Sequence, residues 1–396
     1  MKRKTLYTAI LFTMLLLFMG NAISAQTEET EDADILIGEQ IKSDEVKTLE
    51  KKLKDYIKDN AKEIFPEFDP SKIIDSATKG KIEFSLNGII KAILKYLFKE
   101  IYLNINIFIK LIFLCFLSSI LTNIKSSFLS EGVGEIAFFA CYIIIMSLVV
   151  TSFSSIITMT GEIIDQMVLI MYASLPAFVA FLISGGNLVS ASLLKPSVLL
   201  IVHVSTVLIR NGLVPLVYFS MVLNMINNIS ERIQISRLAA FIKQISIWSL
   251  GGLLTVFIGY ITIQGTLGAA VDGVTGKTAK FAITSFIPVV GKYLAEAADT
   301  VVGCTLIIKN AMGVATMISI IVICAVPLIK IFAFILMYRL TAAFVEPICE
   351  KRITKCLNDI ADLLILLLGI LASVAFMFLV AITVVISAGN ISTMIR

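Results

Sequence analysis

Five stretches of this chain of 396 residues contain no Asp, Glu, Lys or Arg, and each is long enough to cross a lipid bilayer. They are residues 136–161, 166–194, 244–271, 310–329 and 363–395. A helix needs about 20 apolar residues to span the hydrocarbon core, and each stretch reaches that length. Two further apolar stretches are interrupted, 101–124 by Lys110 and 198–226 by His203 and Arg210. The sequence therefore predicts an all-α, polytopic membrane domain at 101–396 with about seven transmembrane helices.

Residues 1–25 have the order of a secretory signal peptide. Three cations at positions 2 to 4 precede an apolar stretch, and small residues follow up to Ala25. We expect cleavage near residue 25, and an uncleaved first span is the alternative because the two share an apolar segment. Without the leader the formal net charge of +4 falls to about +1, so no basic surface for nucleic acid is predicted.

Residues 26–100 are predicted to be an extracytoplasmic region. Nine acidic residues between Gln26 and Glu50 are typical of an unstructured leader. Val46, Leu49 and Leu53 then recur at helical spacing, which predicts an amphipathic helix. After Ser85, a second apolar face is flanked by lysines at 91, 95 and 99. This second helix either lies on the membrane surface or packs within a small extracytoplasmic domain.

The orientation of the spans is left open by the loop charges. With the amino terminus outside, seven spans place Arg237 and Lys243 outside but Lys277 and Lys280 inside, so cations fall on both sides. If the Pro176-containing stretch with Gly185 and Gly186 were re-entrant, every later segment would invert.

Neither an enzyme site nor a nucleotide site is predicted. The stretch VDGVTGKT, residues 271–278, lacks the first glycine of a phosphate-binding loop, and Gly273 and Gly276 are expected to end a helix. The six cysteines contain no CxxC pair and are interpreted as small core residues. His203 is the only histidine, so we predict no catalytic residue, no metal site and no cofactor.

Four ionisable residues interrupt apolar sequence and are candidate intramembrane polar residues: Lys110, His203, Arg210 and Lys330. Such groups usually face a bundle interior or a wet cavity. Lys110 is expected to extend its ammonium to the interface. His203 and Arg210 share a helical face, although a neutral histidine between helices and an arginine extended to the interface are the simpler interpretation. Lys330 needs a partner, because a lone cation within a span costs roughly 2.5–3.5 kcal/mol.

The stretch FIPVVGKYLAEAADTVVGC, residues 286–304, carries charges on one helical face after Pro288. Lys292, Glu296 and Asp299 follow one another by four and three residues, and Gly291 permits close packing. The helix either lies along the membrane surface or turns its charges toward water, a pore or a cation such as Arg210 or Lys330. Pro288, Gly291, Lys292, Glu296 and Asp299 are therefore candidate gating or assembly residues.

The same stretch, with the leader, the extracytoplasmic segment and the run of spans, resembles the stage III sporulation protein AE family of endospore-forming bacteria. The resemblance covers the chain from about Asp69 onward. It implies a subunit of a complex in the mother-cell membrane that faces the engulfed forespore, together with a secretion-type ATPase and ring-forming subunits. It also implies a role in late forespore gene expression. The family is not known for a catalytic residue, so none is carried over.

Two functions from different classes follow from these observations. The first is a non-enzymatic channel or export subunit whose energy comes from a separate ATPase, because the chain has no nucleotide site. The alternative is an autonomous secondary transporter with a charged midplane site. An intramembrane enzyme is disfavoured because no nucleophile and base can be paired.

Overall fold

The computed structural model describes residues 44–57, 69–78, 86–128, 131–229, 235–287 and 290–395, and within these ranges it contains helices and no strands. The helices are α1 (Asp44–Ile57), α2 (Pro70–Thr78), α3 (Leu86–Phe128), α4 (Glu131–Ser184), α5 (Leu188–Leu208), a π-helical segment (Ile209–Leu213), α6 (Val214–Ile229), α7 (Ser236–Phe286), α8 (Val290–Val345) and α9 (Lys351–Ile395). The predicted all-α, polytopic class is confirmed. The signal peptide predicted at 1–25 lies outside the described residues.

Six helical stretches in the described part of the chain are long and apolar enough to cross a membrane, where the sequence predicted about seven. They are Gly88–Leu121, Phe138–Ser184, Leu188–Asn228, Ser236–Phe286, Val290–Val345 and Lys351–Met394. The count differs because α4 runs through Glu162 and Asp165 without a break, which joins two predicted spans. Pro176 lies inside α4, and the chain reverses only after Ser184.

The turn between α4 and α5 ends α4 in a Schellman motif. Gly186 has a φ of 74°, a left-handed conformation that glycine adopts without the strain of a Cβ. The Asn187 N–H donates to the Leu182 carbonyl at 2.8 Å, and the Gly186 N–H donates to the Ile183 carbonyl at 2.9 Å. The two glycines that the sequence offered as part of a re-entrant stretch therefore form a tight helix-to-helix connection.

Helix α9 forms the centre of the bundle and contacts α4, α5, α6, α7 and α8. Its sequence has no charged residue from 363 to 395, so it is apolar on every side, as expected of a helix surrounded by other helices. Two glycines let its neighbours approach closely. A Cβ on Gly265 of α7 would lie 2.2 Å from Val384, and one on Gly313 of α8 would lie 2.0 Å from Ile386.

Helix α3 continues through residue 100 without interruption. Its first turns, which the sequence placed on the membrane surface or in a small domain, pack against α8, where Tyr96 and Ile329 form a buried pair. Glu100 is buried beside them and accepts a hydrogen bond from the Tyr96 hydroxyl at 3.0 Å. Lys110 is exposed on the outer side of α3. The boundary at residue 100 separates a predicted extracytoplasmic region from a predicted transmembrane domain, and it stays a prediction.

Helices α1 and α2 form a small amino-terminal unit against the bundle. Val46, Leu49 and Leu53 are buried, as their spacing predicted, and α1 contacts α4 and α8. Lys54 joins the two helices through Glu50 at 2.8 Å and Asp69 at 3.4 Å. Burial raises the pKa of Glu50, but hydrogen bonds from Lys54 and Ser71 outweigh it and leave the pKa below its usual value.

The end of α7 and the start of α8 form a largely exposed helical hairpin, residues 274–287 and 290–303. Between residues 274 and 301, Gly291 and Ala295 are the buried residues among those whose side chains are described. Gly273 and Gly276, which were expected to end a helix, lie inside α7, so that prediction was wrong. Glycine is tolerated in a long helix whose ends are fixed by packing, at a cost of only about 1 kcal/mol each.

We predict that Gly291→Ala opens this hairpin. A Cβ at position 291 would lie 2.4 Å from the Ile283 carbonyl oxygen, a backbone atom that cannot rotate away. Overpacking of this kind costs about 1–3 kcal/mol, so amide hydrogen exchange across the hairpin should accelerate about tenfold or more. Gly303→Ala is the matched control, because nothing lies within 4 Å of a Cβ there. Equal exchange in the two variants would contradict the prediction.

Candidate functional site

Two polar contacts join α4 to the helix that follows it. Arg210, in the π-helical segment, donates to Asp165 of α4 at 2.5 Å. The second contact lies seven residues after Asp165 in α4 and seven residues before Arg210 in α5. There the Tyr172 hydroxyl lies 3.3 Å from His203 Nδ1. Because the two helices are antiparallel, the acid–base contact and the phenol–imidazole contact lie along one line between them, which we call the seam. The side chains of Asp165 and Arg210 remain 36% and 50% exposed, so the seam opens on the outside of the bundle.

A polar groove lies next to this seam, between α4 and α8. It has a volume of about 690 Å³ and is lined by Val150, Thr151, Ser154, Ser155, Thr158, Met159, Glu162 and Lys330. Lys330 shares this groove with the carboxylate of Glu162, but the partner expected for it is not found among the described residues. No salt bridge is formed by Glu162 or Lys330 within the described ranges. The groove brings opposite charges and four hydroxyl groups to one surface.

These polar residues lie at half the length of the bundle. Glu162 and Arg210 are near the middle of the apolar stretches Phe138–Ser184 and Leu188–Asn228, and Lys330 shares the groove with Glu162. At 1.5 Å per residue, Glu162 is about 30 Å from the turn after α4. We call Glu162, Asp165, Tyr172, His203, Arg210 and Lys330 the polar belt.

A second polar group, the turn cluster, lies at the end of the bundle where the hairpin begins. It contains Asn187, Asp272, Lys309, Asn390 and Ser392. Lys309 is fully buried, and its Nζ donates to the Ile386 carbonyl at 2.7 Å and contacts Asn390 Oδ1 at 3.4 Å. Gly389 lies close to this ammonium, since a Cβ at position 389 would lie 2.2 Å from the Lys309 Nζ and would require the lysine side chain to move.

Asp272 anchors the turn cluster to the start of α5. Its carboxylate accepts the backbone N–H groups of Val189 at 2.8 Å and Ser190 at 2.7 Å, which have no partner within their own helix. A carboxylate is also favoured there by the positive end of the helix dipole. The cluster thus holds α5, α7, α8 and α9 together at the base of the hairpin.

The opposite end of the bundle is held by charges around Asp362. Lys243 of α7 donates to Asp362 at 3.0 Å, and Arg339 of α8 contacts the same carboxylate and donates to Asn358 at 2.8 Å. The first part of α7, the last part of α8 and the first part of α9 therefore meet at one end of the bundle.

The predicted charged stripe lies on the exposed hairpin. The side chains of Lys292 and Glu296 are 79% and 60% exposed and 3.9 Å apart, and Asp299 pairs with Lys280 of α7. The structure thus pairs Asp299 with Lys280 and Arg210 with Asp165, although the sequence offered Arg210 or Lys330 as cations for the stripe. Pro288 lies outside the described residues. A role of these residues in gating or assembly stays a prediction.

Four functional candidates escaped the sequence analysis because they border charge-free stretches: Glu162, Asp165, Asp272 and Lys309. Each was assigned to a connection between spans. For Glu162 and Asp165 a signal was present, since residues 162–166 contain no Gly, Pro, Asn or Ser to make a turn. For Lys309 no local signal distinguishes a buried lysine from one in a loop.

The fold and the polar belt define a multi-pass helical membrane protein with a polar groove on its side. No cluster of His, Cys, Asp or Glu suited to a metal ion occurs in the residues that the structure describes. The six cysteines all lie in the described residues and form no disulfide with one another, and Cys349 is less buried than the other five.

The chain belongs to the stage III sporulation protein AE family, whose family model matches residues 68–389. It is 33% identical over 317 residues to the stage III sporulation protein AE of Bacillus subtilis (strain 168), which covers 80% of this chain and 79% of the relative. No solved structure matches the chain.

We predict strong coupling between Asp165 and Arg210. Asp165→Asn or Arg210→Gln alone should lower the thermal unfolding temperature of the purified chain in detergent, because each leaves a charge without its partner, at about 1–3 kcal/mol or more. The double variant should be more stable than either single variant. Effects of the two substitutions that simply add would show that the pair contributes nothing.

Proposed function

We propose that the chain is a non-enzymatic integral membrane subunit of a sporulation-specific, secretion-like channel complex that links mother cell and forespore. The proposal rests on the family resemblance and on one structural observation, the hairpin of residues 274–287 and 290–303. Apart from Gly291 and Ala295, its described side chains from 274 to 301 are exposed or half-buried. A surface with this many uncovered apolar and charged side chains favours a protein that works within an assembly.

The hairpin combines three surfaces on the first turns of α8. Gly291 and Ala295 face α7, Lys292, Glu296 and Asp299 form the charged stripe, and an apolar stripe remains uncovered. The apolar stripe consists of Val290, Tyr293, Leu294 and Val301. Large apolar side chains beside a rim of charges are typical of the surfaces that bind other proteins. We infer that other subunits of the stage III complex cover this hairpin.

Energy for transport is proposed to come from a separate ATPase subunit. Residues 271–278, the stretch closest to a phosphate-binding loop, lie within the continuous helix α7. Their backbone N–H groups are used in the helix and cannot surround a phosphate. The chain's own contribution would then be packing and a polar path.

The hairpin is proposed to face the forespore. If the leader places the amino terminus outside the cytoplasm, α3 and α4 return the chain to that side, and α5–α6 and α7 do so again. The hairpin between α7 and α8 then lies on the side of the amino terminus. Seven spans would have placed Lys277, Lys280 and Lys292 in the cytoplasm, so the continuous helix α4 reverses that assignment.

The polar belt favours a second candidate, an autonomous secondary transporter, because charged groups at half-length resemble the midplane sites of such proteins. The two functions differ in what the purified chain does alone. In vesicles with an ion gradient, the chain without partners should leave solutes such as labelled amino acids unmoved if it is a complex subunit. Gradient-driven uptake by the chain alone would support the transporter.

We predict that Lys292→Glu weakens assembly in sporulating cells. The Lys292–Glu296 pair is exposed and adds little to folding stability, so a defect would report a lost contact with another subunit. Co-purification of the complex with the tagged chain should fall about tenfold, which corresponds to ~1.4 kcal/mol of binding free energy. Spore formation should fall with it.

Two variants control this experiment. Lys51→Glu reverses an exposed lysine on α1, a helix that is not part of the hairpin, and should leave assembly unchanged. Lys292→Glu combined with Glu296→Lys restores the pair in reverse and should recover part of the assembly. Normal spore formation with Lys292→Glu at an unchanged protein level would refute the assembly role of the stripe.

A further inference from the structure

The polar groove between α4 and α8, next to the seam, has the properties of a ligand site. Its volume of about 690 Å³ falls within the range of small-molecule sites, about 300–1,000 Å³. It opens to the outside, since Thr151, Ser155, Thr158 and Glu162 are exposed. A molecule can therefore reach it without unfolding the bundle.

The polar side chains of the groove are placed regularly by α4. Thr151, Ser155, Thr158 and Glu162 follow one another by four, three and four residues, which puts them on one helical face. Lys330 reaches the same groove from α8. Because the two helices are packed together, the acid and the base are held at fixed positions rather than on loops.

Most polar side chains of the groove keep their hydrogen-bonding capacity; Thr151 is the exception, since its hydroxyl donates to the Ser147 carbonyl at 2.8 Å. Ser152 and Thr160, on the buried side, donate to carbonyls four residues earlier at 2.9 and 2.8 Å. Ser154, Ser155 and Thr158 make no hydrogen bond within the described residues, and neither do Glu162 and Lys330. A carboxylate, an ammonium and three hydroxyls thus share a groove without a partner from the residues that the structure describes.

We propose that this groove binds a zwitterion, with its ammonium at Glu162, its anionic group at Lys330 and its other polar atoms at the α4 hydroxyls. An ionised partner for each charge satisfies both groups at once, which a cation or an anion alone does not. The same chemistry occurs in a free amino acid and in the headgroup of phosphatidylethanolamine. The site concerns the purified chain alone and goes beyond its role in a complex.

The test uses the full chain in nanodiscs of phosphatidylglycerol, a lipid without an ammonium group. Labelled L-alanine is the probe, and propionate and ethylamine are its analogues that lack one charge each. We expect saturable binding of alanine that is at least about tenfold tighter than that of either analogue. Glu162→Gln and Lys330→Met should each weaken alanine binding about tenfold or more.

Matched controls separate the groove from general charge effects. Lys110→Met and Glu296→Gln make the same substitutions at exposed positions outside the groove and should leave binding unchanged. The swap of Glu162→Lys with Lys330→Glu should recover binding, because a zwitterion can bind in the reverse direction. Since neither Glu162 nor Lys330 has a partner within the described part of the chain, the variants should unfold at the normal temperature.

A second arm identifies the source of the zwitterion. In nanodiscs that contain phosphatidylethanolamine, loss of alanine binding together with retention of that lipid on the purified chain supports the headgroup. Retention must then be lost in Glu162→Gln and Lys330→Met. Ethylamine or propionate binding as tightly as alanine would overturn the proposal. Groove variants that bind both alanine and the lipid as the unmodified chain does would also overturn it. So would an unmodified chain that binds neither alanine nor the lipid.

Discussion

The pairing of charges at half-length of an apolar bundle is the constraint on which this structure depends. Charged side chains at this position on an apolar bundle are tolerated only when they contact an ionic partner, water or another protein. Asp165 and Arg210 provide that partner for each other, and their contact fixes how α4 lies against α5 and α6. Glu162 and Lys330 have no such partner in the described chain, which leaves a polar groove beside a satisfied pair.

The architecture could be predicted from the sequence because it depends on long apolar stretches. The charge-free segment 363–395 indicated a helix apolar on every side, and α9 forms the centre of the bundle. The number of helices was harder, because Glu162 and Asp165 separate two stretches that are each long enough to span. Asp165 pairs with Arg210, which lies 45 residues away in sequence, and no local pattern reveals that contact.

The same dependence on distant contacts explains why only part of the candidate site could be predicted from the sequence. The sequence singled out His203, Arg210 and Lys330, and all three belong to the polar belt. Their acidic counterparts were assigned to connections, since an acid between apolar stretches has the appearance of a loop. Lys309 lies between two predicted spans and was assigned to a connection for the same reason, although it is buried in the turn cluster and donates to the Ile386 carbonyl of α9. Local periodicity identifies faces of helices, whereas partners depend on how distant helices pack.

The bundle is longer than the hydrocarbon core is thick, so the surroundings of the polar belt depend on how deep the bundle lies in the membrane. From Lys309 to Val345, α8 extends about 55 Å, whereas the hydrocarbon core is ~30 Å thick. A membrane that covers one half places the belt at the level of the lipid headgroups, where a zwitterionic headgroup can enter the groove. A membrane centred on the bundle instead places the belt in hydrocarbon, where a neighbouring subunit must cover it and only a solute can occupy it. The occupant of the groove therefore indicates the depth at which the chain lies in the membrane.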